Sequence, residues 1–250
     1  MRRIFIAGNW KMNKTTGESR ELAEALVNAL SDCEHKIMIA PPFTSLQTVH
    51  QVVKGTNILL GAQNMAEASG GAHTGEISAS LLKDVGVSVV IIGHSERRLI
   101  YGESDELINK KVHRGIQSGL EVILCVGETL EQRNRGEAVA VVKAQIERGF
   151  EGIPEESLDK ITVAYEPVWA IGTGKNATPE DADEIHFTIR ESLKKIYSRQ
   201  AGENMVIQYG GSVKPANIKA LMAMENIDGV LVGGASLAAE TFVPIARYNQ

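Results

Sequence analysis

The feature that most constrains the fold of this chain is a series of short apolar runs that recurs along all 250 residues. Each run is rich in β-branched residues and is bounded by glycine, proline or polar residues, which is typical of strands buried on both faces of a parallel sheet. The runs are IFIAG (4–8), IMIA (37–40), ILLGA (58–62), VSVVIIG (87–93), VILCVG (122–127), ITVAY (161–165), MVIQY (205–209) and GVLVGG (229–234). The sequence therefore predicts eight strands.

Amphipathic helical patterns lie between the runs. Leucine recurs at one-turn spacing in residues 18–30, and residues 179–197 carry a second apolar stripe. Thr178 supplies a cap before Pro179, and Asp181 follows three residues after the cap, which predicts a helix start. Successive strands begin about 32 residues apart on average, the size of a strand with its crossover helix.

The repeated strand–helix unit predicts the fold class. Parallel strands with crossover helices and no intervening linker are most economically arranged as an α/β fold of the (β/α)8 barrel type. We therefore expect one (β/α)8 barrel domain spanning residues 1–250. Periodicity alone leaves an open doubly wound sheet as the alternative.

Charge and composition argue against several classes of function. A net charge of -5 leaves no broad basic face to displace the counterions of nucleic-acid phosphates. Residues 4–7 are too short an apolar run for a signal peptide, and no stretch approaches the length of a membrane span. Cys33 and Cys125 have no metal-type or redox spacing, which is typical of thiols in a reducing compartment. We expect a cytoplasmic protein with no nucleic-acid or membrane partner.

Polar residues follow most of the runs, and in barrels the catalytic groups lie in the loops after the strands. These residues are Asn9 and Lys11 after the first run, Gln63 and Asn64 after the third, His94, Ser95 and Glu96 after the fourth, Glu128 after the fifth and Glu166 after the sixth. Because the carboxyl ends of parallel strands meet at one mouth, we expect an amide, a lysine, an imidazole and a carboxylate to share a site.

Two glycine turns, YGGS (209–212) and VGGAS (232–236), follow the last two runs. A glycine turn ahead of a helix leaves backbone N–H groups free to bind an anion. In barrels, the loops after strands seven and eight are the usual phosphate position. The pattern predicts a phosphorylated small molecule as ligand, although either glycine pair taken singly can be only a tight turn.

Motifs for cofactors and metals are weak. Gly172, Gly174 and Ala177 fit a lone G-x-G-x-x-A pattern, but Pro167 precedes them and no strand-to-helix turn is indicated. The six histidines have no metal-ligand spacing, and no strand interior carries a lysine suited to Schiff-base chemistry. These observations favour acid–base chemistry with no cofactor and no metal.

Several motifs resemble those of the triosephosphate isomerase family, in the same order and over nearly the whole chain. They are GNWKMN (8–13), AQN (62–64), TGEIS (74–78), IIGHSERR (91–98), CVGE (125–128), AYEPVWAIGTGK (164–175), YGGSV (209–213) and VGGASL (232–237). The resemblance implies a TIM barrel and an aldose–ketose isomerase of glycolysis and gluconeogenesis. Such an enzyme interconverts dihydroxyacetone phosphate and D-glyceraldehyde 3-phosphate through an enediolate.

The resemblance also implies catalytic roles. Glu166 would be the base that moves a proton between two carbons. His94, as a neutral imidazole, would donate a hydrogen bond to the carbonyl oxygen, while Lys11 and Asn9 would stabilise the negative charge that develops there. Glu96 would orient the lysine.

Substrate binding and a lid are implied in the same way. The implied substrate-binding residues are Asn9, Lys11, Gly172, Ser212, Gly233 and Gly234. A lid with its tip at residues 170–174 and hinges at residues 167–169 and 175–177 would fold over the phosphate and exclude water. Ser95 would lie beside the base in the open form.

The family resemblance further implies a homodimer, in which Thr74 from the loop after the third strand supports the partner's active site. Two other functions remain open from the residues alone. A phosphate-binding barrel isomerase acting on phosphoribosyl substrates would need a larger pocket and usually paired acids after strands one and five. A catalytically silent barrel that serves as a binding scaffold would be expected to lose the base or the lid.

Overall fold

The computed structural model describes residues 2–170 and 177–249. Within them, eight parallel strands form a closed barrel in which each strand pairs with the next and the last pairs with the first. The strands are β1 (Phe5–Asn9), β2 (Lys36–Ala40), β3 (Ile58–Ala62), β4 (Val89–Ile92), β5 (Glu121–Val126), β6 (Ile161–Tyr165), β7 (Val206–Tyr209) and β8 (Gly229–Val232). The predicted (β/α)8 barrel is confirmed, and the open-sheet alternative is wrong because β8 closes onto β1.

Helices connect the strands around the outside of the barrel. They are α1 (Thr16–Leu30), α2 (Leu46–Val53), α3 (Ala79–Asp84), α4 (Ser95–Leu99), α5 (Asp105–Gln117), α6 (Leu130–Asn134), α7 (Ala138–Gly149), α8 (Pro179–Ile196), α9 (Arg199–Asn204), α10 (Ile218–Met222) and α11 (Ala239–Ala246). Short 3₁₀ turns occupy Phe43–Ser45, Glu155–Lys160, Val168–Ala170 and Gly234–Leu237. None of the helices in the described ranges combines the length and apolar character that a membrane crossing requires.

The predicted start of α8 is confirmed. The Thr178 hydroxyl accepts a hydrogen bond from the Asp181 N–H at 3.1 Å, and the Asp181 carboxylate accepts one from the Thr178 N–H at 3.2 Å. This reciprocal pair satisfies two backbone donors that the first turn leaves without helical partners. Pro179 follows as the first helical residue, where its missing N–H costs nothing.

Side chains of the strands alternate between the barrel interior and the layer beneath the helices. One buried cluster fills the interior and consists of Phe5, Ala7, Met38, Ala40, Val89, Ile91, Ile123, Cys125, Ala164 and Leu231. Gly61 has to lack a side chain, because an added Cβ would collide with the sulfur of Met38. The barrel interior is therefore a packed core. Cavities lie at both of its ends, one of 310 Å³ at the carboxyl ends of the strands and one of 670 Å³ at the amino ends, and the active sites of such barrels lie at the carboxyl ends.

Candidate active site

Glu166 directly follows β6 and is only 2% exposed. Its backbone N–H donates to the Val126 carbonyl at 2.8 Å, which extends the pairing of β5 and β6 by one residue. One carboxylate oxygen, Oε1, lies 2.9 Å from Nε2 of His94, and the other, Oε2, accepts from the Ser95 N–H at 2.9 Å. Both oxygens thus have donors, which is what a buried carboxylate requires.

His94 caps the short helix α4. Its Nδ1 accepts a hydrogen bond from the backbone N–H of Glu96 at 3.2 Å. A ring nitrogen that accepts carries no proton, so the proton of the neutral ring is on Nε2 and points toward Glu166. The hydrogen bonds around His94 therefore describe a neutral imidazole with a donor aimed at the base.

The pKa values of this pair shift in opposite directions. Burial alone would raise the pKa of Glu166, but His94, the Ser95 amide and the charge of Lys11 together lower it below its usual value. Burial alone would lower the pKa of His94, and the Glu166 carboxylate outweighs it and raises that pKa while the two are in contact. The lowered pKa of Glu166 keeps this carboxylate ionised at neutral pH.

Lys11 lies beside the pair in an uncommon backbone conformation, with φ of 52°. Two amide side chains hold it there. The Asn9 side-chain oxygen accepts from the Lys11 N–H at 3.0 Å, and the Gln63 side chain donates to the Lys11 carbonyl at 2.8 Å. The Lys11 ammonium pairs with Glu96 at 2.7 Å. A backbone held in this region by its surroundings directs a cation into the site.

A cavity of 310 Å³ connects these groups with the two glycine turns. It is lined by Asn9, Lys11, His94, Glu166, Gly210, Gly211, Ser212, Val213, Lys214, Leu231, Gly233, Gly234 and Ala235. An added Cβ at Gly210 would lie 2.8 Å from Cγ of Glu166, and one at Gly233 would lie 3.3 Å from Cε of Lys11. The turns therefore bring bare backbone close to the charged side chains, which is a suitable arrangement for binding an anion.

The structure brings most of the residues predicted from sequence to this cavity. Asn9, Lys11, His94, Glu166, Ser212, Gly233 and Gly234 line it, and Glu96 lines an adjoining cavity of 150 Å³. Gly172, most of the proposed lid tip and most of the second hinge lie outside the described residues. Thr74 lies in residues 69–76, all of which are exposed, and it lines neither cavity.

Sequence reasoning missed other residues near the base. The Cys125 thiol is fully buried, and burial together with the charge of Glu166 raises its pKa well above the usual value. Lys214 adds a second lysine to the cavity lining. The sequence did offer a signal for Lys214, which follows the glycine turn at Ser212 by two residues. Cys125 had none, because its nearness to Glu166 comes only from its position in the barrel interior.

Glu128 was predicted at a strand end, but sequence gave it no role. It is fully buried, and one of its carboxylate oxygens accepts from the Tyr165 hydroxyl at 3.1 Å and from the Trp169 indole N–H at 2.8 Å. The guanidinium of Arg133 stands 3.5 Å from the same oxygen and over the Trp169 ring. Glu128 thus ties the end of β6 to the turn that follows Glu166.

Within residues 2–170 and 177–249, no group of three or more histidine, cysteine, aspartate or glutamate side chains could hold a metal ion. The groups that do converge are one carboxylate, one imidazole, two lysines, the side-chain amide of Asn9 and backbone amides. Such a set can move protons and bind an anion.

A sequence model of the triosephosphate isomerase family matches residues 4–249. The protein named triosephosphate isomerase from Treponema denticola is 57% identical over 250 residues, covering 100% of both chains. The one from Caldanaerobacter subterraneus subsp. tengcongensis is 52% identical over 248 residues, covering 99% of this chain and 100% of that protein. The one from Treponema pallidum subsp. pallidum is 53% identical over 247 residues, covering 99% of each chain.

Proposed function

Because this chain belongs to the triosephosphate isomerase family, we propose that it interconverts dihydroxyacetone phosphate and D-glyceraldehyde 3-phosphate through an enediolate. The observation that carries this function is the contact of an ionised carboxylate with a neutral imidazole at a cavity that lysine and two glycine turns also line. A triose phosphate requires these three elements: a base, an electrophile for its carbonyl and a site for its anion. The reaction serves both glycolysis and gluconeogenesis.

Glu166 acts as the base. It removes a proton from the carbon next to the substrate carbonyl and returns it to the former carbonyl carbon, while the hydroxyl proton passes from one substrate oxygen to the other, so no redox partner is consumed. The Nε2–H of His94 donates to the substrate oxygen, which requires substrate to replace Glu166 as the partner of this N–H. Lys11 and Asn9 stabilise the negative oxygen, and Glu96 orients the lysine through their 2.7 Å contact.

The phosphate binds to backbone N–H groups at Ser212, Gly233 and Gly234, with Gly172 completing the set from outside the described residues. Support comes from the bare glycine backbone and from Lys11, which lines the same cavity. Local cations and amides are necessary here, because the whole chain has a net charge of -5 and repels an anionic substrate.

Two features favour a triose over a phosphoribosyl substrate. The cavity of 310 Å³ is at the small end of ligand sites, which span about 300–1,000 Å³. The end of β1 carries Asn9 and then Lys11, where the rival isomerases usually place an acid. The hydrogen-bonded base argues against a silent scaffold, because a barrel that only binds does not need a buried carboxylate with a matched donor.

The test is a coupled assay with glyceraldehyde 3-phosphate on the wild type and Glu166→Gln. We expect the variant to lose about 10²- to 10⁴-fold in kcat, the usual contribution of a positioned general base. Glu24→Gln on α1 makes the same chemical change at an exposed ion pair and should retain activity. An inactive wild type, or a fully active Glu166→Gln, would refute the function.

We also infer a homodimer in which Thr74 reaches the partner's active site. The exposed residues 69–76 and three apolar side chains support this inference: Met12 is 93% exposed, Tyr101 65% and Phe43 38%. These three line the 150 Å³ cavity that also opens onto Lys11 and His94. An apolar patch beside an active-site opening is typical of a protein interface.

We assign the protein to the cytoplasm. Both cysteines, Cys33 and Cys125, are free and buried, which is typical of a chain that folds in a reducing compartment.

A further inference from the structure

We propose that Gln145, on the outer helix α7, is a positioning residue that holds the base Glu166 in place through the backbone of Gly127. The proposal rests on the isomerase function proposed above. Gln145 does not line the cavity and lies far from Glu166 in sequence.

The first step concerns Gly127, which follows the end of β5. On the β4 side, strand pairing ends with Ile92 opposite Leu124, so Gly127 lies beyond the last paired residue. The side chain of Gln145 supplies the hydrogen bonds that a neighbouring strand would otherwise make to Gly127. Its Oε1 accepts from the Gly127 N–H at 2.7 Å, and its Nε2 donates to the Gly127 carbonyl at 3.2 Å. One side-chain amide thus satisfies both polar groups of this residue.

The second step concerns the contact between Gly127 and Glu166. An added Cβ at Gly127 would collide with the Glu166 carbonyl oxygen and would lie 3.3 Å from the Glu166 Cα. The residues on either side of Gly127 also bind this segment. The backbone carbonyl of Val126 accepts from the Glu166 N–H at 2.8 Å, and the backbone carbonyl of Glu128 accepts from the Val168 N–H at 3.2 Å. Any shift of Gly127 therefore moves the backbone that carries the base.

The third step is the rigidity of α7. Gly149 lies one turn after Gln145 and on the same face of the helix. An added Cβ at Gly149 would lie 2.6 Å from Cδ2 of Leu124, so the helix packs tightly on β5 at this point. The amide of Gln145 is thus fixed to the strand that it supports. Among residues 2–170 and 177–249, the side chain of Gln145 bonds to Gly127, and neither glycine turn of the cavity receives a bond from it.

This arrangement predicts an effect on proton transfer without an effect on phosphate binding. The experiment measures kcat and KM for glyceraldehyde 3-phosphate, inhibition by inorganic phosphate and thermal unfolding for Gln145→Leu. We expect kcat to fall by about 10- to 100-fold, because a displacement of the base by a fraction of an ångström to 1 Å costs rate in that range. KM and the inhibition constant of phosphate should be unchanged.

Asn57→Leu is the matched control. The Asn57 side chain also holds backbone, donating to the Leu30 carbonyl at 2.7 Å and to the Cys33 carbonyl at 3.2 Å, but it precedes β3 at the opposite end of the barrel. This control should lower the unfolding temperature and leave kcat unchanged. Wild-type kcat in Gln145→Leu, or an equal loss of kcat in Asn57→Leu, would overturn the proposal.

If Gln145→Leu does not fold, the same measurements are made on Gln145→Glu. The carboxylate keeps an acceptor for the Gly127 N–H but has no donor for the Gly127 carbonyl. We expect a smaller fall in kcat at unchanged KM, and wild-type kcat in this variant would overturn the proposal. A wild type without isomerase activity would refute the proposed function itself, which separates the two failures.

Discussion

The Glu166 carboxylate and the His94 ring bind each other through the atoms that a substrate would have to contact. Their 2.9 Å contact satisfies two buried polar groups, and the Ser95 amide satisfies the second carboxylate oxygen. A ligand that inserts between them has to supply an acceptor for the His94 N–H and a proton for Glu166 to remove. The pair is therefore suited to a carbonyl with an acidic neighbouring C–H.

The pKa of Glu166 provides a test at this scale. Because His94 is the principal group that lowers this pKa against the effect of burial, we expect His94→Ala to raise it. The variant carboxylate should then lose its charge at a higher pH than in the wild type as the pH falls. Carboxyl carbon NMR, with the signal assigned by Glu166→Gln, measures the shift.

The contact between Glu166 and His94 also makes the stability of the protein depend on pH. A carboxyl whose pKa is lowered on folding stabilises the protein above its unfolded pKa, and that contribution is lost as the pH falls through the folded pKa. His113→Ala is the control, since the His113 ring bonds to the Glu151 carbonyl at 2.9 Å on the outer surface and does not line the cavity. An unchanged titration of Glu166 in His94→Ala would contradict the assigned cause.

Sequence could predict site residues that belong to strand ends. Glu166, His94 and Lys11 each follow an apolar run, and parallel topology alone brings such positions to one mouth. It could not predict Gln145, which lies within a helix and acquires its partner only because Gly149 allows α7 to pack closely on β5. A role that depends on how closely a helix packs on a strand leaves no pattern in the local sequence.

At the scale of elements, glycine marks the ends of β4 and β8. The fourth run was predicted over residues 87–93, but β4 stops at Ile92 because Gly93 has φ of 72°, outside the strand region. The eighth run was predicted over residues 229–234, but β8 stops at Val232. There Gly233 leads directly into the 3₁₀ turn Gly234–Leu237. Both differences come from backbone conformations that an apolar pattern does not encode.

The capping box of α8 gives a prediction for a single element. Thr178→Ala removes the hydroxyl that accepts from the Asp181 N–H, and we expect it to lower the free energy of unfolding by about 1 kcal/mol. Urea denaturation followed by circular dichroism measures the change. Thr178→Ser keeps the hydroxyl and should be close to the wild type, whereas equal losses in both variants would point to the methyl group as the cause.

At the scale of the whole molecule, the eight runs favoured a closed barrel but left an open sheet as the alternative, and the pairing of β8 with β1 decides between them. Eight strands of this length form a barrel whose interior side chains can fill, as the packed cluster around Met38 and Ile123 does. The residue pattern alone does not predict the assembly of two chains. Nothing in the local sequence around an exposed side chain such as Met12 distinguishes a position at an interface from one in solvent.

The homodimer proposal is tested by Thr74→Arg. A bulky cation in the segment proposed to enter the partner should shift light scattering from the mass of two chains to that of one, and kcat should fall with dimer content. Ala144→Arg adds the same group on the exposed surface of α7 and should leave both unchanged. A wild type that scatters as a single chain at micromolar concentration would refute the dimer.

Pairing of β1 with both β2 and β8 has a consequence for biosynthesis. Because translation runs from β1 toward β8, β1 receives its second neighbour only when Gly229–Val232 has been translated. Until then, one row of its peptide groups is open to strands of other nascent chains. Ribosomes that stall or terminate before β8 should release polypeptides that associate with one another, which makes the translation of β8 decisive for solubility.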